Sequence, residues 1–379
     1  MANGIKRNVE SGILKLAYLL NFILPKDSRK IFFYSSPDYS DNARAVYEEM
    51  VRQGLDKKYS VVWAVKDLQK YKKVLPDVIL VKHRTVRNLW HFCRSKFIFR
   101  THSLWGNKYV YGRQKMCIAW HGMPLKKLVQ PDGSVVKTTC DVLTSTAPFF
   151  DNELASSMGL DMSVCKHVGL PRNDALFNGG DDLAIRYPGF KKRIIWMPTF
   201  RNANGFENGV DSELGVPCVS KEELPLLNKA LNELNYLLIL KLHPWSAEKL
   251  NNINFSNIVN LKDSDIVGDA SLYRLIGQTD ALITDYSSIY IDYLLINKPI
   301  CFACDDIDEY RKTRGFAYEP VENYMPGEII SDCKQLILWF ENFELDDQFE
   351  KKRNELKKLF YVYPDDNSSK RLLDEMGIV

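Results

Sequence analysis

The chain has 379 residues, 45% hydrophobic and 26% charged, which places it among ordinary globular proteins and excludes disordered, collagenous and disulfide-scaffold classes. Its length predicts two domains. The net charge of +3 hides a division: residues 1–175 carry 28 Lys+Arg against 15 Asp+Glu, a net of +13, and the other 204 carry 23 against 33, a net of −10, so the two halves meet different things.

Ile13 to Leu24 is the one long apolar run, flanked by Lys6, Arg7, Lys26, Arg29 and Lys30. Twelve helical residues cover about 18 Å, short of the roughly 30 Å of a bilayer core, so the run is not expected to span. Pro25-Lys26-Asp27 offers no small-residue cleavage site, against a signal peptide. Two readings stay open for residues 1–27: an amphipathic helix lying on an anionic membrane, or a helix docked on the protein body.

Lys30–Ser36 reads as a buried strand and Asn42–Gln53 as a helix opened by Ser40/Asp41 and ended by Gly54. Strand-like runs recur at Val61–Val65, Val78–Val81, Phe97–Phe99, Met116–Trp120 and Val142–Thr144, with helical patterns between most of them. The segment Asn178 to Gly189 is the linker candidate, dividing a domain over 28–177 from one over 178–379. Beyond it come strands at Arg193–Met197, Tyr236–Leu242, Ala281–Thr284 and Pro299–Ala303. Helices are expected at Leu224–Leu234 and Ser287–Ile296, with a charged helical tail from Leu345 to Phe360. Alternating strand and helix predicts an α/β protein of two doubly wound, Rossmann-like domains, with a ligand cleft at the carboxyl ends of their strands.

The eight cysteines read as reduced thiols of a cytoplasmic compartment, and Cys301-Phe-Ala-Cys304, in an apolar run, as a buried pair rather than a metal or redox site. Ile79 to Pro131 holds eleven Lys+Arg, four of the six histidines and no acid. Such a face attracts phosphate groups, an anionic membrane or a nucleic acid; its aromatics fit strand and helix periods better than a stacking platform, so no nucleic-acid partner is expected.

Within that stretch His121 stands where a strand ends, Gly122 permits close backbone approach, Pro124 suits a first helical turn, and Lys126 and Lys127 follow. A histidine of ordinary pKa there can take a proton from a hydroxyl; a lone histidine is also often structural. In the second half, strand-to-loop turns deliver Thr199 and Arg201, then Lys241 and His243, to one sheet edge. Another turn places Asp285, Ser287 and Ser288 before a helix, as a phosphate cradle or simple caps. Arg311 and Arg314 sit three apart on one helical face. Together these suggest an anion site at the edge of an acidic domain. No P-loop, dinucleotide, zincin or nucleophile-elbow motif occurs, and Asp263-Ser-Asp265 reads as a polar turn, so transfer without a metal or other cofactor is expected.

Trp120-His-Gly-Met-Pro-Leu-Lys126, Pro198-Thr-Phe-Arg201, Lys241-Leu-His-Pro244, Thr284-Asp-Tyr-Ser-Ser288 and Glu309 to Phe316, in this order, resemble the CDP-glycerol glycerophosphotransferases of wall teichoic acid synthesis. Tyr39-Ser-Asp-Asn42 and Gly169-Leu-Pro-Arg-Asn-Asp174 fit the same resemblance, which covers about residues 30 to 320; Met123 stands where the family pattern has a small polar residue. The resemblance implies a GT-B-like fold of two domains facing a central cleft, with the acceptor on the N-terminal domain and the CDP donor on the C-terminal one. It implies transfer of glycerol phosphate from CDP-glycerol to a hydroxyl of an undecaprenyl-diphosphate-linked saccharide, releasing CMP, by a peripheral protein on the cytoplasmic face of the membrane. It makes His121 the general base and His243 the residue that binds or protonates the donor phosphate. Thr199, Arg201, Lys241, Asp285, Ser287, Ser288, Arg311 and Arg314 fall on the donor side; Asn42, Gly122, Lys126 and Lys127 fall on the acceptor and membrane side. Because polymerising members usually carry a large extra N-terminal region, a priming enzyme is expected. A ribitol-phosphate or capsule-polymer phosphotransferase using another CDP-polyol is the alternative, and a non-catalytic anionic-membrane binder a further one; a homo-oligomer is left open.

Overall fold

The computed structural model describes residues 18–103, 113–128, 135, 138–199, 214–242, 254–262, 266, 271–343 and 347–379. They fall into two compact units, one drawn from 1–121, 135–174 and 367–379, the other from 122–134 and 175–366.

The first unit is built on seven parallel strands: β1 (Asp27–Tyr34), β2 (Ser60–Val65), β3 (Ile79–Lys82), β4 (Ser95–Arg100), β5 (Lys115–Ile118), β6 (Val142–Thr144) and β7 (Cys165–Lys166), ordered β3-β2-β1-β4-β5-β6-β7. Strands covered on both faces need apolar residues on both, hence near-continuous runs such as Ile31-Phe-Phe-Tyr34 and Val61-Val-Trp-Ala-Val65, buried throughout. Phe33 of β1 stacks on Trp63 of β2 and on Phe99 of β4, each with ring centroids 5.0 Å apart, and this ladder fixes the sheet centre. The strand order reverses at β1, so the β1 and β4 carboxyl ends flank the crevice where open α/β sheets take ligands.

The second unit has six parallel strands: β8 (Lys192–Trp196), β9 (Tyr236–Leu240), β10 (Ile258–Asn260), β11 (Ala281–Thr284), β12 (Ile300–Ala303) and β13 (Glu328–Ile330), ordered β10-β9-β8-β11-β12-β13 with the reversal at β8. The expected doubly wound α/β architecture is therefore observed twice. The expected division of 28–177 from 178–379 is crossed twice: residues 122–134 belong to the second unit, and helix Ser368–Met376 packs on helix Asp41–Arg52 of the first, burying Leu372, Leu373, Met376 and Ile378. Two contacts set that return: Asp174 accepts the Ser368 and Ser369 N–H groups at 2.9 and 2.8 Å, and Gly169, at φ +86°, comes so close that a Cβ there would stand 2.3 Å from Ser368 Oγ.

At the N-terminus, residues 18–23 are helical. Buried Asn21 donates to Gln114 Oε1 at 2.8 Å, and Gln114 donates in turn to the Phe92 and Ser95 carbonyls, so this end is docked. Its Leu19, Leu20, Phe22 and Ile23 nevertheless face outward. Residues 1–17 lie outside the described residues. No helix among the described residues is long and apolar enough to cross a membrane. All eight cysteines are buried and free, and burial raises those at 93 and 333 to about 11, keeping the thiols protonated.

Candidate functional site

In the first unit, β5 ends and Ala119-Trp120-His121 follows over the carboxyl edge of the sheet. The Trp120 N–H donates to Thr144 Oγ1 at 2.8 Å, and the Trp120 carbonyl accepts from the Asn42 amide. His121 itself is exposed, with its ring parallel to that of His102 (centroids 5.3 Å apart, 9° between planes) and against Trp120 at 4.2 Å. His102 comes from the end of β4, so the two imidazoles are brought together by adjacent strands.

Thr101 sets the state of His102. Its Oγ1 accepts the Ser36 N–H at 3.3 Å and lies 2.9 Å from His102 Nδ1, an arrangement in which its hydroxyl can donate to that nitrogen while Nε2 carries the His102 proton. Desolvation on the protein side, helped by Arg100 and Lys66 and opposed by Asp41, holds the His102 pKa below its ordinary 6.5. Arg100, buried, is pushed down to about 10 by the same desolvation and donates to the His102 carbonyl and, at 2.7 Å, to Thr138 Oγ1. An exposed imidazole at a strand end, stacked beside a second one, is placed as a general base for a hydroxyl requires.

Asn42, expected on the acceptor side, is completely buried; its amide bridges the Trp120 carbonyl and the Arg172 N–H (2.9 Å), so it builds the turn instead of meeting a ligand. Its helix starts at Asp41, whose carboxylate takes the Arg172 guanidinium at 2.8 Å. Sequence reasoning gave Arg172, His102 and Thr101 no part here; Gly169-Leu-Pro-Arg-Asn-Asp174 was the one visible signal, and it pointed to no chemistry.

The helix start expected at Pro124 is absent. Gly122 takes φ +138°, and the chain then runs extended in the second unit, Lys126 bridging Phe316 while Leu125 accepts the Ala317 N–H at 2.8 Å. Met123 and Leu125 are both buried, a place that suits an apolar residue at 123. Lys127 remains exposed, its N–H on the Gly315 carbonyl.

In the second unit, Thr199, Lys241 and Asp285–Ser288 all follow the carboxyl ends of β8, β9 and β11, at the strand-order reversal. Asp285 does not reach outward: fully buried, it accepts the Thr199 N–H (2.9 Å), the Thr199 hydroxyl (2.7 Å) and the Ser287 N–H (3.2 Å). An anion so placed would repel phosphate; as a stitch between two turns it presents Ser287 and Ser288, both half-buried, at the edge. Tyr286 supports the turn from below by donating to Asp306 at 2.9 Å and packing on Tyr310 and Phe316. Arg311 is engaged by Asp308, Glu319 and Glu322 at 2.9, 3.2 and 2.6 Å; the Glu322 hydrogen bond raises its pKa further. Arg314 ends that helix, half-buried. Arg201 and His243 lie outside the described residues, as does the Asp263-Ser-Asp265 turn.

The sequence profile of the family described as CDP-glycerol:poly(glycerophosphate) glycerophosphotransferase matches residues 16–376. The chain belongs to this family. It is 26% identical to the teichoic acid ribitol-phosphate primase of Bacillus spizizenii, over 97% of this chain and 95% of that protein. It is 25% identical to the teichoic acid glycerol-phosphate transferase of Staphylococcus aureus, over 88% of each. The poly(ribitol-phosphate) polymerase of Bacillus spizizenii matches at 26%, with 60% of its length covered. Among solved structures, the wall teichoic acid polymerase TagF aligns with a TM-score of 0.76 at 23% identity, over 98% of this chain and 95% of that one. The UDP-GlcNAc 2-epimerase of Neisseria meningitidis aligns at 0.53 with 12% identity, over 92% of this chain and 99% of that one, which shows a shared GT-B-like fold. This family member is thus a polyol-phosphate transferase of teichoic acid synthesis.

Proposed function

We propose that the chain transfers glycerol phosphate from CDP-glycerol to a hydroxyl of an undecaprenyl-diphosphate-linked saccharide and releases CMP, as a priming step. The reading is carried by His121, exposed and parallel to a neutral imidazole at the carboxyl edge of the first sheet in a member of this family. The acceptor oxygen attacks the phosphorus bearing glycerol, its proton passes to His121, the bond from that phosphorus to the bridging oxygen breaks, and CMP leaves with the bridging oxygen. Ser287, Ser288, Thr199, Lys241 and Arg314 would hold the diphosphate, joined by Arg311 once Asp308, Glu319 and Glu322 yield it, with Arg201 and His243 assigned by motif; Lys126 and Lys127, expected on the acceptor side, pair with Phe316 and Gly315 in the second unit. A TagF variant soaked with CDPG supports a CDP-polyol as donor. The outward Leu19, Leu20, Phe22 and Ile23, near Arg29 and Lys30 in sequence, support attachment to an anionic membrane at its cytoplasmic face. We include independence from metal in the reading: turnover is expected to persist in EDTA, and its loss would remove this part.

The coverage of the ribitol-phosphate primase favours one second reading, CDP-ribitol as donor. Mass spectrometry of products from a panel of CDP-polyols with a lipid-linked disaccharide tests both. A single glycerol phosphate added with CMP released is expected; ribitol phosphate alone transfers the reading to the second donor, long chains remove the priming step, and no CMP with any donor removes the enzyme reading.

A further inference from the structure

Three motifs far apart in sequence, Tyr39–Asn42, Trp120–His121 and Gly169–Asp174, meet at one point in the first unit. We propose that Asn42 is a positioning residue for the transfer, its buried amide fixing the strand-end turn that aims His121. The inference rests on His121 being the base.

The geometry leaves the amide one orientation. Its nitrogen donates to the Trp120 carbonyl, 78 residues on, and its oxygen accepts the Arg172 N–H, 130 residues on; reversed, it would set N–H against N–H and oxygen against oxygen. The Trp120 carbonyl belongs to the peptide group that enters His121, and the preceding peptide is held through its N–H by Thr144. With both peptides of Trp120 pinned, the N and Cα of His121 are held in place, and its ring lies parallel to that of His102. The bracket itself is strained and over-determined: Tyr39 and Asp41, neither a glycine, take φ +48° and +58°, and the Asp41–Arg172 ion pair holds that backbone in place. Strain kept beside an exposed strand end is accounted for if the end must point one way. A base displaced by about 1 Å loses on the order of a hundredfold in rate.

Asn42→Asp tests this in the full chain, because it keeps size and the acceptor toward Arg172 but turns a carboxylate oxygen on the Trp120 carbonyl. With the donor that the panel selects, kcat for CMP release is expected to fall about 10- to 100-fold while the donor KM stays within about twofold. The double variant Asn42→Asp/His121→Ala is expected to be no slower than His121→Ala alone, since Asn42 acts through that imidazole. Wild-type kcat in Asn42→Asp overturns the proposal, and so does an equal further loss in the His121→Ala background, which marks a general structural role. If Asn42→Asp does not fold, Asn42→Ser carries the same comparison. His121→Ala with wild-type turnover removes the base reading itself, whereas an inactive His121→Ala beside an unimpaired Asn42→Asp removes this inference alone.

Discussion

The two sheets present their carboxyl edges in opposite ways. In the first unit the exposed imidazole of His121, stacked on His102, stands on a buried bracket, Asn42 and Thr144 on either side of Trp120. In the second, the turns after β8 and β11 are stitched to each other by a single carboxylate, Asp285, and the half-buried hydroxyls of Ser287 and Ser288 line the result. A proton acceptor needs one precise direction, which the bonds pinning both peptides of Trp120 supply; an anion site needs several donors at one edge, which one shared carboxylate presents by tying two turns together. Polar residues in a motif thus divide into those that meet the ligand and those that hold them, and burial separates the two.

The comparison breaks first at His121. His121→Ala should lower CMP release by about a hundredfold or more while leaving CDP affinity, measured by calorimetry, unchanged; a parallel loss of affinity would show that the two edges are not separable. Next, Asp285→Ala removes the acceptor of two N–H groups and one hydroxyl, and should cost about 2–4 kcal/mol of stability in chemical denaturation. A loss below about 1 kcal/mol would show that the stitch is dispensable. Gly169→Ala, which sets a Cβ against Ser368 at a positive φ, should cost about 1–3 kcal/mol and raise hydrogen exchange in 368–376 ahead of the rest of the molecule. The smallest effect is in titration: His102 should titrate below 6.5 by NMR. Its folded-state pKa is depressed, so its contribution to stability is present at neutral pH and is lost as pH falls through that value. Thr101→Val, which removes the hydroxyl facing Nδ1, should change which nitrogen carries the proton.

The central strands were legible because doubly covered strands are apolar throughout: Val61–Val65, Val142–Thr144 and Ala281–Thr284 lie where the hydrophobic runs put them. β7, β10 and β13 were not, since they stand at sheet edges, only partly buried, and mix polar residues into two or three positions. His121 was legible from its place after an apolar run. Asn42 and Asp285 were hard to place for one reason: in sequence a polar residue beside a turn looks solvent-facing, and only the fold shows partners as distant as the Trp120 carbonyl and the Thr199 N–H, 78 and 86 residues away. Pro124 misled because its fixed φ suits an extended strand edge as well as a helix start.

The return of helix Ser368–Met376 to Asp174 has a consequence in time. The bond from Asp174 to Ser368 closes across 194 residues, so during synthesis at roughly 5–20 residues per second the unit holding His121 waits about 10–40 s for its last helix to leave the ribosome. The strands of the second unit, all between Lys192 and Ile330, emerge whole before then. The usual order of N-terminal domain first is inverted here: the half that is made first is finished last, and a nascent chain gains its anchored Gly169–Asp174 segment only once residues 368–376 have emerged.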